Sequence, residues 1–273
     1  MDLAHALPPP PWLWGVFTRA LALAYLASFA SLARELPALA GSRGISPVAP
    51  LLARIRADFP APARLFHFPS LLWLSASDRA LRVFPRLGCV AAVIAFVGGP
   101  GSPFALAACW LLYLSLDLAA DFERPWDTLL LEAGLLALLL PPLRPLPEVA
   151  ATAAPMAAIG WAYRWLFFRV MVGFGKQKFS RSTLGDLDYL KCFFINQPLP
   201  TPFGYFAHRL PLWLLKPALA LTFFIEVLLP FGVFFRGWPR FIAGLLTGGL
   251  MIAIQLSGNY SFFNLLVLGL CVT

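Results

Sequence analysis

Apolar runs long enough to cross a lipid bilayer recur along nearly the whole chain, and no other feature constrains its fold as strongly. Runs such as 12–32 and 239–257 match the about 20 residues that a helix needs to cross a hydrocarbon core of about 30 Å. With 60% hydrophobic and 12% charged residues, the chain has too few polar groups to cover a water-facing surface. We therefore expect an all-α, polytopic helical membrane protein.

Several other classes of protein are excluded by the composition. The 26 prolines, and the absence of alternating strands, argue against a transmembrane β-barrel. The four cysteines lie far apart without a C-x-x-C spacing, so we expect no metal site and no cofactor. The net charge of +8 resides in basic loops beside the apolar runs. Such loops meet lipid head groups, and we expect membrane lipids rather than nucleic acid as partners.

We predict seven or eight membrane spans within a single transmembrane domain that covers residues 1–273. Two basic regions interrupt them: an interfacial or loop region at 34–86 and a polar loop region at 174–211. Stretches 50–59 and 69–84 mix apolar residues with Arg, which is typical of interfacial amphipathic helices. The predicted spans are 12–32, 87–98 with an extension upstream, 104–120, 126–140, 156–173, 212–235, 239–257 and a last one from 262 onward.

Four predicted spans separate the two basic regions, so both should lie on the same side of the membrane. The positive-inside rule assigns that side to the cytoplasm and leaves Met1 outside. The last apolar run stops at Thr273, well short of the length of a full span, and we expect the chain to be cut within a helix.

Six charged residues fall within or just inside predicted spans, where an ionised group costs about 2.5–3.5 kcal/mol. Glu132 and Arg164 occupy consecutive spans, and we expect them to form a salt bridge that either positions the helices or lines a polar cavity. Asn259 and Asn264 lie near the start of the last span and could cap it or add hydrogen bonds. The six charged residues are Arg19, Asp117, Glu132, Arg164, Arg169 and Glu226.

The segment Gly173-Phe174-Gly175-Lys176-Gln177-Lys178 follows the fifth predicted span. Glycine is common where a helix stops, so we expect the helix to end at these glycines. Lys178 would then lie at the membrane boundary, where a lysine usually extends its ammonium to the interface. If it is instead held away from water, it could serve as a general base.

Six motifs in this order and spacing resemble the lipase maturation factor family across nearly the whole chain. Residues that carry the resemblance include Gly41, Arg43, Gly44, Pro47, Trp126, Gly173, Gly175, Gln197 and Pro198. The motifs are GSRGISPV at 41–48, WDTLLLEAG at 126–134, YRWLFFR at 163–169, GFGKQK at 173–178, QPLPTP at 197–202 and SGNYSFFN at 257–264.

The resemblance implies a multi-pass membrane protein that helps secreted lipases fold, with a client lipase or another exported protein as its partner. In animals such proteins reside in the endoplasmic reticulum with a cytoplasmic N-terminus. The Arg-, Ala- and Pro-rich composition points to a bacterial source and hence to the inner membrane. The family's C-terminal non-membrane region is absent from this sequence.

A weaker, fold-level similarity connects the chain to membrane enzymes of the vitamin K-dependent γ-carboxylase type. In those enzymes a lysine after a glycine-ended span acts as a base, and Lys178 matches that position by its spacing from Gly175. We expect an accessory factor without catalytic activity of its own. A membrane enzyme that uses Lys178 as its base is the alternative.

Overall fold

The computed structural model describes residues 10–120, 125–181, 189–197, 200–258 and 260–273, and their regular secondary structure is helical. This confirms the predicted all-α class. The chain divides into two compact units, 10–155 and 156–273. Five helical segments in the described residues are long and apolar enough to cross a membrane: Pro11–Ala40, Asp78–Val97, Ser102–Ala119, Leu212–Phe234 and Trp238–Ser257. The chain is thus a multi-pass membrane protein, while its total of seven or eight spans stays a prediction.

The first unit contains three long and three short helices. They are α1 (Pro11–Ala40), α2 (Val48–Asp58), α3 (Ala61–His67), α4 (Asp78–Val97), α5 (Ser102–Ala120) and α6 (Pro125–Ala137), with a short 3-10 turn at Leu71–Trp73. Helix α1 packs against α4, α5 and α6.

Aromatic side chains of α1 and α5 form the core of this first unit. Tyr25 and Phe29 are fully buried, and their rings lie 5.9 and 5.6 Å from the ring of Tyr113. Helix α4 reaches this core through Gly88, where an added Cβ would lie 2.5 Å from the Phe29 ring. Small and large residues therefore interdigitate here, as close packing of helices requires.

The second unit contains α7 (Ala157–Arg181), α8 (Tyr189–Ile195), α9 (Pro202–His208), α10 (Leu212–Phe223), α11 (Trp238–Ser257) and α12 (Phe262–Leu270). Helix α10 continues as a π-helical segment, Phe224–Leu228, and then as a 3-10 segment, Leu229–Phe234. Helix α7 packs against both segments and against α12. Aromatic rings on these elements, among them Phe168, Phe231 and Phe234, pack at 4.9–5.2 Å.

Two helix boundaries differ from those predicted from the sequence. Helix α1 continues to Ala40 rather than ending near Leu32, and the stretch 69–84 is not one short helix because its last residues begin α4. The Ser77 hydroxyl accepts a hydrogen bond from Ala80 N at 3.3 Å, and Asp78 lies in the first turn. A capped start with an acidic first turn stabilises a helix there. The predicted short helix at 50–59 agrees closely with α2.

Candidate functional site

Lys178 and Glu226 form an ion pair inside the second unit. Lys178 Nζ on α7 donates a hydrogen bond to Glu226 Oε1 on the π-helical segment. The Glu226 side chain is 1% exposed and that of Lys178 is 16% exposed. Single-turn π-helical insertions occur often at functional sites. This charged pair, held between helices in an apolar setting, is the centre of the candidate site.

Gly175 allows the two helices to approach each other one turn before Lys178. A Cβ at Gly175 would lie 2.6 Å from Val227 Cγ2 and 3.1 Å from Glu226 Cβ. A Cβ added at Gly173 would have no neighbouring atom within 4 Å among the described residues. The prediction that these glycines end a helix is therefore wrong, because α7 runs through both to Arg181. A glycine inside a helix costs about 1 kcal/mol, which close packing of the neighbouring segment offsets.

A second polar pair joins α11 to α12 in the same unit. Asn264 is 1% exposed, and its Nδ2 donates to Gln255 Oε1 at 2.8 Å. Phe174 packs against Phe263, the neighbour of Asn264, with ring centroids 5.1 Å apart. Asn264, predicted as a hydrogen-bonding residue of the last span, is thus in the interior.

Four buried oxygen atoms of this unit have no hydrogen-bond partner among the described residues: Gln197 Oε1, Glu226 Oε2, Thr247 Oγ1 and Asn264 Oδ1. Buried polar atoms are normally satisfied, so each is able to accept a bond from water or from a polar group of a ligand. Within the described chain no group of three or more His, Cys, Asp or Glu side chains is arranged to hold a metal ion.

Arg19 connects α1 to the loop that follows α6. Arg19 is 6% exposed, and its guanidinium donates to the carbonyl oxygens of Val149 at 2.6 Å, Arg144 at 2.8 Å and Glu148 at 3.0 Å. Nearby, Gly15 faces the same loop, since a Cβ there would lie 1.9 Å from Val149 O. Backbone carbonyls thus accept the hydrogen bonds of this buried charge.

A buried chain of hydrogen bonds in the first unit was not predicted from the sequence. Ser28 Oγ donates to Tyr113 Oη at 2.8 Å, and Tyr113 Oη donates to Asp127 Oδ1 at 2.5 Å. Asp127 is 3% exposed. Asp127 follows Trp126 at the edge of a predicted span. An acidic residue so close to an apolar run is the sequence feature that could have indicated a buried carboxylate here.

The first of the family-like motifs contacts the start of α4. In the first motif, which contains Gly41, Arg43, Gly44 and Pro47, the main-chain N–H and the hydroxyl of Ser42 each donate to the Asp78 carboxylate at 2.7 Å. This contact fixes the loop after α1 to the start of α4.

The motif around Gln197 meets the one that begins at Ser257. Gln197 Nε2 donates to Phe193 O at 2.9 Å and to Tyr260 Oη at 3.4 Å, and a Cβ at Gly258 would lie 2.5 Å from Gln197 Oε1. Gly204 approaches Ser257 equally closely, since a Cβ there would lie 2.3 Å from its carbonyl oxygen. Pro198 and Asn259 lie outside the described residues.

The remaining predicted residues occupy different environments. Asp117 and Glu132 are half-buried, and Arg169 is exposed; each of the three has an interaction partner. Arg164 is 8% exposed, and its guanidinium lies over the Trp161 ring at 5.3 Å. Glu132 and Arg164 belong to different units, and their salt bridge stays a prediction.

Comparison with known proteins places these motifs in one family. Residues 13–273 match the family described as lipase maturation factor transmembrane domain. The chain is 30% identical to lipase maturation factor 1 of Bos taurus, covering 93% of this chain and 47% of that protein. It is 35% identical to lipase maturation factor 2 of Mus musculus, covering 93% of this chain and 38% of that protein.

A third relative, lipase maturation factor 2 of Xenopus laevis, is 32% identical over 98% of this chain and 38% of its own length. The chain thus spans less than half the length of these curated relatives. No solved structure matches the chain. Because residues 13–273 match this family and the chain is at least 30% identical to factors of both kinds, it belongs to the lipase maturation factor family and contains its transmembrane domain.

Proposed function

We propose that this chain is the membrane-embedded part of a factor that assists the maturation of a client lipase. The observation that carries the proposal is the match of residues 13–273 to the transmembrane domain of lipase maturation factors. Relatives of both kinds are named for lipase maturation, and they agree with this chain over at least 93% of its length. The client that it assists is a lipase or another exported protein.

The buried polar contacts favour an accessory role over an enzymatic one. A lysine ammonium that hydrogen-bonds to a buried carboxylate on another element holds the two elements together. Lys178 is in this situation, because its ammonium pairs with Glu226. Arg19 likewise ties a helix to a loop. These groups support a scaffold that presents a defined membrane surface to its client.

The membrane in which the protein acts follows from its source. In a eukaryotic cell we propose the endoplasmic reticulum, where secreted lipases fold before export. In a bacterium, which the composition favours, we propose the inner membrane. In both cases the client meets the protein while it crosses or leaves the membrane.

Co-expression with a lipase tests the proposal. The chain is produced together with a secreted lipase from the same source, and the activity per milligram of exported lipase is measured. An unrelated polytopic membrane protein, expressed to the same level, is the matched control. We expect the chain to raise the specific activity of the lipase and to co-purify with it in mild detergent. An unchanged specific activity, together with no co-purified lipase, would overturn the proposal.

A further inference from the structure

Two arginines, Arg164 and Arg240, line a recess between helices in the second unit, outside the Lys178 site. Arg164 comes from α7 and Arg240 from the first turn of α11. The wall is completed by residues of α11 and the end of the chain, including Gly244 and Cys271. The enclosed space is only about 10 Å³, room for a single water-sized group. Part of the recess is open to the outside.

Among the described residues of their unit, these two cations have no carboxylate within salt-bridge distance. From 156 to 273 the sequence contains three acidic residues, Asp186, Asp188 and Glu226. Glu226 is paired with Lys178, and no described carboxylate of the unit lies within salt-bridge distance of Arg164 or Arg240. Like charges brought together in an apolar setting repel one another strongly, so this arrangement favours a bound anion.

The two arginines that line the recess differ in how their Nε atoms are used. Arg164 is 8% exposed, and its buried Nε has no hydrogen-bond partner among the described residues. Arg240 uses its Nε to donate to the carbonyl oxygens of Val233 at 3.2 Å and Phe235 at 3.1 Å, which fixes the direction of its side chain. A planar guanidinium binds phosphate oxygens through two parallel hydrogen bonds.

Two exposed tryptophans indicate the depth of this recess in the membrane. Trp161 and Trp238 are 46% and 74% exposed, and they lie near the first turns of α7 and α11, close to Arg164 and Arg240 in sequence. Tryptophan is enriched where a membrane protein meets the lipid head groups. The recess therefore lies at the level where lipid phosphates are found.

We propose that the recess between α7, the 3-10 segment, α11 and α12 binds the phosphate of an anionic membrane lipid through Arg164 and Arg240. The site is separate from the Lys178–Glu226 pair and does not depend on the proposed action on a lipase. It gives the transmembrane domain a preference for anionic over zwitterionic lipid.

Lipid titration of the purified chain in a neutral detergent tests this site. Phosphatidylglycerol, phosphatidylcholine and inorganic phosphate are added in separate series. The thermal midpoint is followed in each, and native mass spectrometry counts the retained lipid. We expect phosphatidylglycerol alone to raise the midpoint. Equal stabilisation by phosphatidylcholine would overturn the preference for anionic lipid, and equal stabilisation by inorganic phosphate would overturn the lipid as the source of the phosphate.

The variants R164Q and R240Q should each bind phosphatidylglycerol about fivefold to tenfold more weakly, since one basic contact to an anionic lipid is lost. The matched control is R209Q, which removes an equal charge from an exposed position of the same unit. If R164Q fails to fold, R164K and R240Q carry the test, because lysine keeps the charge without the planar fork. Variants that titrate like wild type, or no more weakly than R209Q, would overturn the proposal.

The thermal midpoint of R164Q without added lipid distinguishes the lipid site from the salt bridge expected between Glu132 and Arg164. Removal of one of two neighbouring cations should leave the thermal midpoint of R164Q in neutral detergent unchanged or higher. If Glu132 were the partner, R164Q would lower the midpoint and a second change, E132Q, would restore part of it. That second result would overturn the lipid site.

Discussion

Lys178 and Arg19 illustrate two ways in which a buried cation is tolerated in this protein. Lys178 pairs with a carboxylate, while Arg19 donates to three main-chain carbonyls. A charge left without its partner in such surroundings is costly, because neither water nor another dipole replaces the lost contact. Substitution of either residue should therefore have a measurable effect on stability.

Lys178→Met should lower the free energy of unfolding by about 3–5 kcal/mol, because it leaves the Glu226 carboxylate buried without its ion pair. Thermal unfolding in a neutral detergent measures the effect. Lys216→Met, at an exposed position of α10, is the control and should leave the midpoint nearly unchanged. The double variant Lys178→Met with Glu226→Leu should recover much of the loss. Equal midpoints for the two single lysine variants would contradict the pair.

Lys178→Arg separates a structural pair from a general base. Arginine also donates to a carboxylate but does not give up its proton near neutral pH. We expect Lys178→Arg to fold and to keep its effect on the client lipase close to wild type in the co-expression assay. A folded Lys178→Arg protein without that effect would instead support the enzymatic alternative.

Arg19→Gln should destabilise the first unit by at least about 3 kcal/mol, since hydrogen bonds from charged groups contribute about 1.5–3 kcal/mol each. The loss should be greatest at the loop that Arg19 holds. Cleavage after Glu148 by a glutamate-specific protease, together with the thermal midpoint, measures both effects. Arg34→Gln removes an exposed arginine of the same helix and should change neither. Equal cleavage in the two variants would show that Arg19 does not hold the loop.

At the scale of the element, α7 shows that glycines in one helix can have opposite roles. Gly175 is in close contact with the π-helical segment, whereas Gly173 faces open space. Both lie within the same continuous helix. The effect of a methyl group at each position therefore depends on the neighbouring element rather than on the helix itself.

Gly175→Ala should lower stability by about 1–3 kcal/mol, because the new methyl group overlaps Val227 and Glu226. Gly173→Ala should raise it by about 0.5–1 kcal/mol, because alanine favours a helix and meets no neighbour. Thermal unfolding of the two variants side by side measures the difference. If both variants are stabilised, the close approach between α7 and the π-helical segment is not present.

At the scale of the whole molecule, the number of spans between the two basic regions determines their sides. Helices α4 and α5 are long and apolar enough to cross a membrane. With α6 and α7 as further spans the number is four, and without them it is two. Both numbers are even, so the regions should share one side whenever α6 and α7 either both span the membrane or both do not.

Reporter fusions at Ser42 and Ser182 test this topology. An enzyme reporter active only outside the cytoplasm, and a second one active only inside it, are joined to the chain after each position. We expect both positions to report the same compartment, and the cytoplasm by the positive-inside rule. Opposite compartments would mean that an odd number of spans separates them.

The all-α class and the positions of the longest spans were predictable, because membrane insertion depends on hydropathy summed over about 20 consecutive residues. The span predicted at 239–257 agrees with α11 at Trp238–Ser257 for this reason. The loop at the first motif was also predictable from local sequence, since glycines and a proline favour turns.

The partners of the buried charges, by contrast, depend on tertiary structure. The neighbours of Glu226 depend on the rotation and depth of two helices far apart in sequence, which local composition does not encode. A glycine that ends a helix and one that admits a neighbouring helix are identical in sequence, so the course of α7 through Gly173 and Gly175 could not be predicted. Hydropathy thus determined which segments cross the membrane, and only the packing of these helices brought Lys178 to Glu226 and Arg164 near Arg240, since each contact joins residues on different elements.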